Sequence, residues 1–121
     1  MGAASSVLVG VVAALHVYFL VLEMFLWTTP FGQKTFARSA DEQLQTKALA
    51  ANQGLYNGFL AAGLAWSLVA VDPTAYALKL FFLGCVAVAG IFGAATASKK
   101  ILFVQFIPAL AATIVTVLAH R

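Results

Sequence analysis

The chain has 121 residues, 63% of them hydrophobic and 9% charged, with a net charge of +3. That composition excludes an ordinary soluble domain and matches an integral membrane protein. The excess positive charge sits in loops rather than in a basic patch, so the expected partner is the lipid bilayer and not nucleic acid.

Apolar stretches read as spans over residues 4–28, 47–71, 74–97 and 100–119. Each can cross a hydrocarbon core of roughly 30 Å, which needs about 20 residues. Short connections make consecutive helices antiparallel neighbours. The expected fold is all-α: one domain over residues 1–121, an antiparallel up-down-up-down four-helix transmembrane bundle. No Lys or Arg precedes the first span, so it is expected to stay in the mature protein. Met1-Gly2 with Ser6 fits the loose myristoylation pattern, but an external N-terminus would not meet the enzyme.

In the first span, His16 and Glu23 lie seven residues apart and share a helical face with Leu20 and Trp27. Their separation along the axis is about 10 Å. Thr28, Thr29 and Pro30 are expected to close this helix, with Trp27 in the interfacial aromatic belt. Residues 31–46 form the main polar stretch, anchored by Phe31 and Phe36. Asp41-Glu42 opens a run expected to continue into the second span. There, Asn52, Gln53, Tyr56 and Asn57 occupy an arc of about 140° at about 100° per residue. Gly54, Gly58 and Ala62 form a small-residue seam on the other side, of the kind that lets helices approach closely.

Asp72-Pro73 reads as an external turn with Pro73 at the first helical position. Lys79, about two turns on, is expected to snorkel outward. Gly84, Ala87, Gly90, Gly93, Ala94 and Ala97 make the third span a smooth packing wall. The single cysteine, Cys85, reads as a small core residue on it. Ser98-Lys99-Lys100 is a short turn. In the fourth span, Gln105 returns to the polar layer and Pro108 is expected to kink the helix, freeing the carbonyl of Val104.

Lys34, Arg38, Lys47, Lys99 and Lys100 would share one side of the membrane, against Lys79 and Arg121 on the other. The positive-inside rule then puts loops 29–46 and 98–100 in the cytoplasm and both termini outside, in a multi-pass protein of the cell inner membrane.

Polar groups in hydrocarbon cost several kcal/mol unless partnered, so they mark candidate sites. Glu23 is the one carboxylate well inside a span, and hydrocarbon favours its uncharged form. With His16 as a second titratable group, these two are the candidate catalytic pair. Asn52, Gln53, Tyr56, Asn57, Gln105 and Trp27 are the candidate ligand-binding residues. One deep His and one Glu are too few for a metal, and no cofactor motif, Cys pair or Ser-His-Asp arrangement is present.

The segments His16-Val17-Tyr18 and Glu23-Met24, Trp27, the run from Asn52 to Ala61, and Gln105 before Pro108-Ala109 resemble a known family. It is domain-of-unknown-function family 1304, small four-helix membrane proteins, mostly bacterial. The resemblance covers essentially the whole chain, and its Asn-Gln-Gly-x-Tyr-Asn-Gly-Phe run is specific. It implies the fold and locates the motif residues without naming a reaction.

Three functions fit these residues. The first is a site that binds or converts a small lipophilic molecule by proton transfer. The second is a proton-coupled small-molecule exporter acting as a homodimer. The third is a structural or assembly subunit whose polar layer specifies packing.

Overall fold

A computed structural model describes residues 2–120. Met1 of the amino-terminal pattern and Arg121 of the charge balance lie outside the described residues. The described residues are helical and contain no strand. The order is α1 (Ala3–Met24), α2 (Pro30–Phe36), α3 (Ala40–Gln45), α4 (Lys47–Val69), α5 (Thr74–Thr96), a π-helical segment (Leu102–Phe106) and α6 (Ile107–His120).

Three of these stretches are long and apolar enough to cross a membrane: Ala3–Met24, Thr74–Thr96 and Leu102–His120. The 23 residues of α4 give about 34 Å of helix, ample length. Asn52, Gln53, Tyr56 and Asn57 keep it out of the apolar set. The expectation of both termini outside required four crossings, and it does not stand on these three helices. Three crossings, an odd number, would leave the two chain ends on opposite faces, so that expectation needs α4 as a fourth crossing, which its composition does not supply.

The burial pattern is that of a protein made for lipid. Phe25, Val69, Phe81, Val88, Phe92 and Phe103 are exposed, whereas Ser5, His16, Gln43, Ser67, Lys79 and Thr116 are buried. In water that distribution would forfeit the hydrophobic driving force; in hydrocarbon it hides the groups that need hydrogen-bond partners.

Contacts group the chain into two compact units, one of Met1–Leu15 with Leu60–Arg121 and one of His16–Phe59. Each is described by itself. The core of the first unit takes Val9 and Val12 from α1, Leu64 from α4, Leu83 and Val86 from α5, and Ala109 and Ala112 from α6. The small residues expected along α5 have specific neighbours. A Cβ on Gly90 would lie 2.8 Å from the backbone nitrogen of Phe106, and one on Gly93 would lie 3.0 Å from Ile101. Around Gly84, by contrast, nothing lies within 4 Å of such a Cβ. Gly90→Ala should therefore destabilise the protein by about 1–2 kcal/mol, and Gly84→Ala should not. Thermal unfolding of both variants in detergent checks this, and equal midpoints would contradict the packing assigned to Gly90.

Pro108 follows an irregular stretch rather than regular α-helix, the kind of place where helices bend. A π-helical segment precedes it, and the N–H of Ile107 bonds to the carbonyl of Leu102, five residues back. The wider turn accommodates the backbone donor that Pro108 lacks. Pro73 also shifts by one position. It stands just before α5, and the Asp72 carboxylate accepts from the N–H of Tyr76 at 3.1 Å.

In the second unit, α1 stops at Met24 rather than at residue 28. The N–H groups of Phe25 and Leu26 both bond to the carbonyl of Val21, and the chain turns. Pro30 opens a helix instead of closing one, because its missing N–H is harmless at a first position. Thr29 caps α2, its hydroxyl accepting from the N–H of Gly32 at 3.2 Å and donating to the carbonyl of Leu26 at 2.6 Å. The expected continuous run from Asp41 is a separate short helix. Ser39 and Glu42 cap it reciprocally, and Thr46 breaks it from α4. The Ser39 backbone N–H and then its hydroxyl hold the exposed Glu42 carboxyl below the usual carboxylate range.

Candidate functional site

The seam on α4 brings it against α1. A Cβ on Gly54 would lie 2.7 Å from Met24 Cγ and 3.1 Å from Glu23 Cβ, and one on Gly58 would lie 2.7 Å from Leu20. Only hydrogen atoms allow this approach. The seam does not continue to Ala62, which is exposed; Ala61 is buried instead.

That close contact positions a buried pair. Asn57 Nδ2 donates a hydrogen bond to Glu23 Oε1 at 2.5 Å, with Glu23 only 6% and Asn57 8% exposed. No Lys or Arg among the described residues makes an ion pair with this carboxyl group. His16 is fully buried on the same helix, with its ring edge-on to Phe19 at a centroid distance of 5.1 Å. Glu23 lies in the last turn of α1, nearer the end of the helix than a span reaching residue 28 would put it.

The four polar residues of α4 do not turn the same way. Asn57, at one edge of the expected arc, lies only about 60° from Gly54 and so faces α1. Asn52, Gln53 and Tyr56 are exposed, Tyr56 by 55%, with its ring against Phe59. The common inward polar face expected of these residues is corrected to Asn57 alone, because the glycine seam fixes the rotation of α4. Gln105 belongs to the other unit, on the π-helical segment.

Trp27 is not a free member of an interfacial belt. Its indole N–H donates to Thr46 Oγ1 at 3.0 Å, its ring packs on Phe36 at 4.6 Å, and its carbonyl accepts from Gln43 Nε2 at 2.8 Å. With its donor engaged, Trp27 braces the segment joining α1 to α4. Of the two loop aromatics, Phe36 takes part in this packing and Phe31 stays exposed.

The sequence reading missed Gln43. It is fully buried, and its Oε1 has no hydrogen-bond partner among the described residues. Such orphaned acceptors are rare in folded proteins and call for a water or a ligand donor. Its position, one turn before Lys47 in a charged stretch, hides it. The capping box at Ser39 and Glu42 is the available signal, because it starts a helix whose covered side includes Gln43.

Among the described residues, no cluster of three or more His, Cys, Asp or Glu side chains could hold a metal ion. Cys85 is half-buried on α5. Within residues 16–59, the buried carboxyl group is that of Glu23, and its hydrogen-bond partner is Asn57.

Apolar helices with polar interiors and a buried carboxyl–amide contact define a helical integral membrane protein. The chain belongs to the family described as "Protein of unknown function (DUF1304)", whose family model matches residues 10–117. No curated protein and no solved structure matches it.

Proposed function

We propose that the protein binds a small lipophilic molecule within the membrane and transfers a proton to or from it. Glu23 is the proton-carrying group, His16 the second titratable group and Asn57 the residue that fixes the carboxyl orientation. The observation that carries this reading is the buried Glu23, held by a neutral amide rather than by a cation. A carboxyl group so held can exist with or without its proton, because the Asn57 N–H donates to either form. Asn52, Gln53 and Tyr56 would then serve the approach to the site rather than its interior.

The reading extends to topology. α4 is a further crossing in an antiparallel four-helix bundle, with Asn57 satisfied by Glu23 and the exposed Asn52 and Gln53 confined to its first two turns, beside the headgroup layer. Loops 29–46 and 98–100 face the cytoplasm, as their Lys and Arg residues favour. Single cysteines at Gln33 and Ser98 in a Cys85→Ser background should resist an impermeant maleimide in intact cells and react in inverted vesicles.

The functional test is mass spectrometry of lipophilic compounds that co-purify with the protein. Glu23→Gln keeps the shape and removes the exchangeable proton. It should leave a monodisperse, helical protein that has lost the compound held by the wild type. Equal retention by both proteins would end the proposal, and collapse of the variant would favour a purely structural polar layer. With the compound in hand, chemical conversion marks an enzyme, whereas proton release on binding without conversion marks an exchanger.

A further inference from the structure

Among the described residues, Lys79 is the largest fully buried side chain, 2% exposed. It does not snorkel to the surface as its place two turns into α5 suggests. Side chains on a helix lean toward its N-terminus, and this one reaches back inside the first unit toward the opening turns of α1. Its Nζ donates to Ser5 Oγ at 3.1 Å and to Ser6 Oγ at 3.5 Å, and Ser5 Oγ lies 2.7 Å from Thr116 Oγ1. Ser5 and Thr116 are fully buried. Among the described residues, no carboxylate comes within ion-pair distance of this ammonium. The Asp72 carboxylate of the same pocket acts on this ammonium only from beyond ion-pair distance. A buried cation without a direct anionic contact is costly, and two hydroxyl groups leave the third ammonium donor open.

Lys79 lines a pocket of about 210 Å³ together with Ser6, Ser67, Leu68, Ala70, Asp72 and Ala75. The volume far exceeds what one water needs. Its polar groups divide by type. Lys79 and the hydroxyl of Ser6, which accepts from Lys79 and keeps its own hydrogen, offer donors. Ser67, whose hydroxyl hydrogen goes to the carbonyl of Leu64, and the exposed Asp72 carboxylate offer acceptors. The cation is buried and the anion exposed, both at the start of α5, the part of a span that lies beside the headgroup layer.

We propose that this pocket binds a phosphate group carrying an ammonium a few bonds away, the headgroup chemistry of phosphatidylethanolamine. The phosphate takes the open donors of Lys79 and Ser6, and the ammonium takes Ser67 and Asp72. The pocket is separate from residues 16–59 and does not depend on their function.

The test is binding of dioctanoyl phosphatidylethanolamine to the purified protein, followed by native mass spectrometry. Dioctanoyl phosphatidylglycerol and soluble O-phosphoethanolamine serve as comparison ligands. The wild type should prefer the ethanolamine lipid to the glycerol lipid. Lys79→Met should weaken both lipids by about thirtyfold or more, as loss of a buried charge partner does. Asp72→Asn keeps the acceptor oxygen for the Tyr76 N–H and should weaken only the ethanolamine lipid, by about threefold. If Lys79→Met does not fold, Ser6→Ala with Asp72→Asn carries the test, since neither side chain is buried. Tight binding of O-phosphoethanolamine would support the same site with a soluble ligand. Lipid binding unchanged in these variants, or no preference for the ethanolamine headgroup, would overturn the proposal.

Discussion

Replacing Gly32 with alanine is expected to cost about 3 kcal/mol or more and to unseat the whole segment between α1 and α4. A Cβ there would lie 2.1 Å from the carbonyl oxygen of Leu26 and 2.5 Å from that of Trp27. Both are backbone atoms, so no rotamer change relieves the clash; α2 itself must move. Moving it strains the Thr29 cap and draws Phe36 off Trp27. The Trp27 contacts with Thr46 and Gln43 then lose their bracing. The expected readouts are a sharp fall in monodisperse protein and rapid proteolysis between residues 30 and 45, with α5 and α6 remaining protected. A Gly32→Ala protein as stable and as protease-resistant as the wild type would show that α2 does not rest on the turn after α1.

The second large effect concerns Asn57. Asn57→Leu removes the donor to a buried carboxyl group and should cost about 1–3 kcal/mol, the penalty for an unsatisfied buried polar group. The sign of the coupling is more informative than its size. Adding Glu23→Met to Asn57→Leu removes the stranded acceptor as well, and apolar pairs of similar volume are often neutral or stabilising replacements. The double variant should therefore regain most of the stability lost by Asn57→Leu, while the proposed ligand binding stays abolished. Denaturation of the two single variants and the double variant closes the cycle. Additive losses would mean that the two residues do not act as a pair.

Lys79 and Asn57 illustrate opposite limits of reading a membrane sequence. Two turns into a helix, a lysine has the length to reach either water or a polar interior. The outcome depends on whether hydroxyl groups from α1 and α6 stand within reach, which no spacing within α5 encodes. For Asn57, spacing was almost sufficient. Its angle places it between the polar arc and the glycine seam, and the seam wins because Gly54 and Gly58 permit the closest approach. Asn52, Gln53 and Tyr56 are then turned away by rigid geometry.

The chain's order by itself determined the membrane character, the extents of α4 and α5 to within two residues, and the family. These follow from composition, apolar run length and helix-breaking residues, all of which act locally. It also singled out Glu23 as the carboxyl group that hydrocarbon would not tolerate alone. Tertiary structure alone decided that α1 ends at Met24, that Pro30 opens a helix, and that Trp27 and Gln43 brace the following segment. It also decided that a π-helical segment stands before Pro108. Each of these depends on which carbonyl, hydroxyl or ring arrives from a distant part of the chain, and helical periodicity gives a residue's angle but not its neighbour.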